Sequence, residues 1–155
     1  MKNDTSHVRS TINDLIETCK DGDEGFRTAA EKVKDATIKS DFLKFALQRA
    51  GFAGELQAEV TRLGGEPAKS GTTTGAIHRG WIDLKSAVTG SSDHSILEEA
   101  ERGEDAAVKN YRDALAKNLP ADIEAIVSNQ LREIQQTHNT VKAMRDRGKT
   151  MTGQL

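Results

Sequence analysis

Apolar and small residues recur along this chain in alternating steps of three and four. Ile12, Leu15, Cys19, Gly22, Phe26, Ala29 and Val33 form the first such series, the spacing of a helix that packs through one stripe in a bundle. It predicts a helix from a cap at Thr5 or Ser6 to about Lys34. Asp35 then stands as the N-cap of a second helix, in which Phe42, Phe45, Arg49, Phe52, Leu56, Glu59 or Val60, and Leu63 share a face. "GGEP", residues 64–67, ends it, because glycine takes the left-handed conformation after a last turn and proline cannot continue a helix. A third helix, capped by Ser92 or Asp93, is expected from 94 to about 118, with Ile96, Ala100, Gly103, Ala107, Tyr111 and Ala114 on its seam. Pro120, in a first turn, opens a fourth, with Ile123, Val127, Gln130 or Leu131, Ile134, His138 and Val141 inward.

The connections differ in length. The first and last helix pairs are joined by a few residues, which makes antiparallel neighbours. Between the pairs lies a segment of about 30 residues, opening with the polar "AKSGTTTG" at 68–75. "AIHRGWIDLKSAV" within it reads as a short amphipathic helix, with Ile77, Trp81, Leu84 and Val88 on one side. Trp81 is expected to plug the side of the bundle, with His78 at the rim. Two hairpins and one long crossover form an all-α, ferritin-like four-helix topology. A single unit is expected over 5–148, followed by a flexible tail at 149–155.

Composition narrows the class without adding chemistry. Charged residues make up 30% and aromatic residues 4%, which suits helices packed through aliphatic side chains. The formal charge of −2, with basic residues spread between acidic ones, gives no footprint for nucleic acid. One cysteine, Cys19, cannot form an internal disulfide, and on the seam it reads as a buried structural thiol. Tyr111 reads as a core tyrosine with its hydroxyl at the edge. "MKNDTSHVRS" has no apolar signal core and no run approaches a membrane-spanning length, so a cytoplasmic protein without a membrane partner is expected.

The seams carry one anomaly in each hairpin. "KDGDEGF" and "ERGEDAA" set glycine beside two carboxylates within a helix, where glycine costs about 1 kcal/mol relative to alanine. Asp23 and Glu24 lie about as far before their turn as Arg49 lies after it. Glu104 and Asp105 are likewise level with Gln135 and His138. Carboxylates at one depth on four helices suit two iron or manganese ions, held by one Glu on each of two helices and Glu-x-x-His on the others. Here Gln135-x-x-His138 offers an amide in place of the glutamate, and Arg49-x-x-Phe52 offers a cation and a ring. A permanent guanidinium charge repels metal ions and pairs instead with carboxylates. The expected site is therefore a polar core network of Asp23, Glu24, Arg49, Glu104, Asp105, Gln135 and His138, with no cofactor. The alternative is iron or manganese on Glu24, Glu104 and His138.

The stretches "DLIETCKDGDEGFRTAA", "QRAGFAGELQAEVTRLGGEP", "GAIHRGWIDLK" and "ILEEAERGEDAAVKNY" resemble a bacterial four-helix-bundle family, domain of unknown function 2383, over about residues 10–147. The resemblance implies the ferritin-like superfamily. It places Glu24 and Glu104 at the single glutamates and His138 at one histidine, while Arg49, Phe52 and Gln135 depart from the di-iron pattern. It further implies a non-enzymatic, stress-related structural or binding protein, the alternative being an oxidoreductase or metal-storage protein. A homodimer is expected, formed through the stripe of the crossing helix.

Overall fold

The computed structural model describes residues 3–71, 81 and 92–153. Its four helices are α1 (Asn3–Lys32), α2 (Ala36–Arg62), α3 (Asp93–Leu115) and α4 (Ala121–Gly153). The short crossing helix, its residue His78 and the dimer stripe expected on it lie outside the described residues; so do residues 154 and 155 of the expected tail. Among the described residues, no helix is long and apolar enough to cross a membrane.

Helix ends follow the local chemistry, with shifts of a few residues. Helix α1 already includes Asn3, ahead of the cap expected at Thr5 or Ser6. Asp35 caps α2 by accepting from Ile38 N at 3.0 Å. After α2, Gly64 takes φ +81°, Gly64 N donates to Thr61 O and Gly65 N donates to Val60 O. Those paired bonds close the last orphan carbonyls, as a glycine C-terminus does. Arg9 of α1 adds a donor to the same end, Nη1 to Leu63 O at 3.1 Å. Ser92, rather than Asp93, caps α3, its hydroxyl accepting from Ser95 N. Helix α3 stops at Leu115, three residues before the expected end, and Asn118 makes the turn with φ +49°. Helix α4 begins after Pro120, whose carbonyl receives Glu124 N at 2.8 Å, and its backbone stays helical to Gly153.

Asp93 has a different task. Its carboxylate accepts from Lys34 N at 2.8 Å and from Asp35 N at 3.0 Å. The start of α3 is thereby tied to the α1–α2 turn, so the segment joining α2 to α3 links opposite ends of the bundle. Helices α1 and α3 run antiparallel, as do α1 with α2 and α3 with α4, whereas α2 and α3 run the same way.

The core is layered. One apolar cluster contains Ile12, Leu15, Cys19, Phe52, Leu56, Ala107, Tyr111 and Ile134 among others. A second contains Phe26, Ala29, Phe42, Ala46, Trp81, Ala100 and Val141. Between the stretches that feed the two clusters each helix buries small or polar residues: Asp21, Gly22 and Gly25 on α1, Arg49 on α2, Gly103 and Glu104 on α3, and Thr137 on α4.

The Asp93 tie should be measurable. Asp93→Ala is expected to lower stability by about 1–2 kcal/mol in urea unfolding, because two backbone donors lose their acceptor. Asp93→Asn, which keeps one acceptor oxygen, should lose less.

Candidate functional site

The middle layer is built around an ion pair. Arg49 on α2 and Glu104 on α3 meet at 2.5 Å, Nη2 to Oε2, with side chains 1% and 0% exposed. Arg49 Nε donates to Gln48 Oε1 at 3.3 Å, and that same oxygen accepts from the Thr137 hydroxyl of α4 at 3.3 Å. The guanidinium also lies over the Phe26 ring, 5.5 Å from its centroid, where the π face favours a cation. Burial opposes the charge on Arg49, but attraction to Glu104 and their hydrogen bond outweigh it and raise its pKa. The pair is single-pronged: Arg49 Nη1 and Glu104 Oε1 have no hydrogen-bond partner among the described residues.

The glycines explain how such groups fit. A Cβ on Gly22 would stand 3.0 Å from Arg49 Nη1 and 3.2 Å from its Cγ, so bare backbone on α1 admits the guanidinium. A Cβ on Gly25 or on Gly103 would fall 2.2 Å from atoms of the Trp81 ring. The indole, 3% exposed, is seated between α1 and α3 and meets Phe26 edge-on at 5.1 Å. The mid-helix glycines thus serve close packing, and the carboxylates beside them largely point elsewhere.

Of the seven residues expected in one core network, the structure joins Arg49 to Glu104 and sets the other five apart. Asp23 pairs with Arg27 one turn on, at 2.5 Å. Glu24 is exposed, and both line a surface groove with Lys20, Ser70 and Gly71. Asp105 is exposed, and its carboxylate accepts from His138 Nε2 at 2.6 Å. Gln135 and His138 border a second surface groove with Lys109, Arg112 and Asn139. The physical reason is helical rotation. Successive residues are turned by about 100°; Gly22, Gly103 and Glu104 fall on the core side, whereas Glu24, two positions beyond Gly22, and Asp105 fall outside it. The depth matching was right, but it does not specify direction. Among the described residues no group of three or more His, Cys, Asp or Glu is placed to hold a metal ion.

A second polar chain was missed. The Tyr111 hydroxyl donates to Gln130 Oε1 at 2.7 Å and lies 3.0 Å from Cys19 Sγ. Gln130 Nε2 in turn reaches Glu55 Oε1 at 3.2 Å. Tyr111 is fully buried, so its hydroxyl is not at the edge as expected. The signal available in the sequence was Gln130 alternating with Leu131 on the α4 seam, a polar residue that must find buried partners. Burial pushes the Cys19 thiol up to about 11 and, again as the main cause, raises Tyr111 well above its usual 10.

The fold matches known structures across nearly its whole length. It is similar to a dodecameric thioferritin, the bacterioferritin-related protein of Bacteroides fragilis, with a TM-score of 0.79 over 97% of this chain and 91% of that one, at 14% identity. It is also similar to the DPS protein of Vibrio cholerae O1, a ferritin-like diiron-carboxylate protein, with a TM-score of 0.71 over 92% and 91%, at 14% identity. These likenesses define an all-α, ferritin-like bundle. Residues 7–117 match the family described as a domain of unknown function, DUF2383, and the chain belongs to that family. No curated protein matches it in sequence.

Two outcomes follow from this packing. Gly103→Ala should destabilise the protein by about 1–3 kcal/mol. It should also red-shift the fluorescence of Trp81, the single tryptophan, as the ring is pushed toward water. Separately, the folded state holds the Cys19 and Tyr111 protons more tightly than the unfolded chain does. Stability from these groups is present below about pH 9 and is lost as pH rises toward 11. Thermal unfolding across that window should show Tm falling with pH, less steeply in Cys19→Ala.

Proposed function

We propose that this chain is a ferritin-like bundle in which a buried Arg–Glu pair stands in place of a di-metal centre, and that it serves as a non-enzymatic structural or binding protein. The observation that carries the reading is the Arg49–Glu104 pair, fully enclosed between the two apolar clusters. A di-metal centre draws carboxylates and histidines from all four helices. Around the pair the middle layer presents Gly22 and Thr137, and Glu104 is already neutralised by a cation; Asp21, the other buried carboxylate at this level, lies against Gly71 of the crossover. Glu24 is exposed and His138 is engaged with Asp105 at the surface, so the alternative ligand set does not converge. The residues do not fit a carboxylate-bridged metal pair, and no step of iron oxidation or storage is derived from them.

Elemental analysis of protein purified without chelator, then exposed to ferrous iron in air, tests this reading. The expected result is no stoichiometric iron or manganese. About one or two ions per chain, lost in Glu104→Ala, would overturn it. The charge pair makes an independent stability prediction. Arg49→Met alone should cost about 3–5 kcal/mol, because Glu104 is left buried without its partner. The double variant Arg49→Met with Glu104→Leu should recover most of that loss in urea unfolding.

A further inference from the structure

Helix α2 carries an outward stripe that nothing among the described residues accounts for. Leu47 is 70% exposed and Leu43 is 45% exposed, the large exposed apolar residues among those described. They lie one turn apart, in line with Gly51, Gly54 and Ala58, all exposed. Gly22, Gly25 and Gly103 each have a close neighbour that explains the missing side chain, but a Cβ on Gly51 or Gly54 would meet nothing within 4 Å. Two helical glycines therefore weaken α2 by about 1 kcal/mol each without a reason among the described residues. Gly71 and Trp81, described residues of the crossover, lie against Asp21 of α1 and against α1 and α3, away from this stripe.

We infer that this face of α2 packs antiparallel against α2 of a second copy of the chain. The stripe is self-complementary: its large residues occupy the N-terminal half and its small ones the C-terminal half. A two-fold axis between Ala50 and Gly51 sets Leu47 of one copy against Gly54 of the other and Leu43 against Ala58. Each leucine then meets a position where the backbone can approach closely, and each contact occurs twice, as an isologous interface requires.

Charge supports the same register. Lys44 and Glu55 lie on one flank of the stripe, about 20° apart around the helix, and both are exposed. A two-fold axis perpendicular to the helix returns that flank to itself, so Lys44 of one copy faces Glu55 of the other, twice over. Lys44 has no ion pair among the described residues. Glu55 accepts from Gln130 through Oε1, which leaves Oε2 for the lysine. Parallel packing of the same stripes would set leucine on leucine and glycine on glycine, and would carry Lys44 and Glu55 of the two copies to opposite flanks.

Sedimentation equilibrium over a wide range of protein concentration tests this arrangement. The wild-type chain is expected to form an assembly that Leu47→Glu halves in size, raising the dissociation constant at least about a hundredfold. Far-UV circular dichroism should be unchanged, since Leu47 is exposed. Lys44→Glu and Glu55→Lys should each weaken association by about tenfold, and the charge-exchanged double variant should restore it. A chain that stays monomeric throughout overturns the inference and leaves the face to a different protein. So does an assembly indifferent to Leu47→Glu, which places the contact elsewhere. A double variant no tighter than the single ones overturns the antiparallel register.

Discussion

Everything at the centre of this bundle is arranged around one demand: a guanidinium and a carboxylate are held out of water together. Their mutual attraction at 2.5 Å offsets a desolvation cost of several kcal/mol per ion only if the surroundings cooperate. They do so from all four helices. Helix α1 withdraws its side chain at Gly22, α2 supplies Arg49 and the Gln48 amide, α3 supplies Glu104, and α4 adds the Thr137 hydroxyl. The apolar clusters on either side exclude solvent and so strengthen the pair. An ion pair of this kind also sets register, because sliding α2 or α3 by a turn would bury a charge without its partner.

The aromatic plug follows from the same economy of space. Trp81 could not approach α1 and α3 if either carried a side chain at Gly25 or Gly103. Its ring then packs on Phe26, which in turn lies beneath Arg49. The glycines, the tryptophan and the charged pair therefore form one contiguous unit spanning three helices and the crossover. The Cys19–Tyr111–Gln130 chain lies in the neighbouring apolar cluster. It gives buried polar atoms their partners and, with both acid groups held protonated, offers no nucleophile at neutral pH.

A ferritin-like backbone at 14% identity to its structural relatives shows how little a fold fixes its interior chemistry. Four helices and a crossover need only seams of the right period and compatible ends. The residue that each seam presents at mid-depth can be a carboxylate, a glycine or an arginine, provided that the layer as a whole is neutral and filled.

The sequence by itself determined the helices, their approximate ends, the long crossover and the depth at which polar groups gather. Those properties depend on spacing along the chain: the 3-and-4 rhythm of the seams, Asp35 as a cap and the glycine at position 64 past a last turn. It also singled out Arg49 as the group that carboxylates would neutralise and Trp81 as the plug. What only the tertiary structure decided was which of the carboxylates turned inward. Asp23, Glu24, Glu104 and Asp105 are equivalent by depth, yet each differs from its neighbour by about 100° of rotation, and the packing of four helices selects one direction for each. That selection left Glu104 with Arg49, sent Glu24 to the surface, and joined Asp105 to His138 outside the core. Direction is a property of helices facing one another, and a linear pattern leaves it open wherever polar residues flank the seam on both sides.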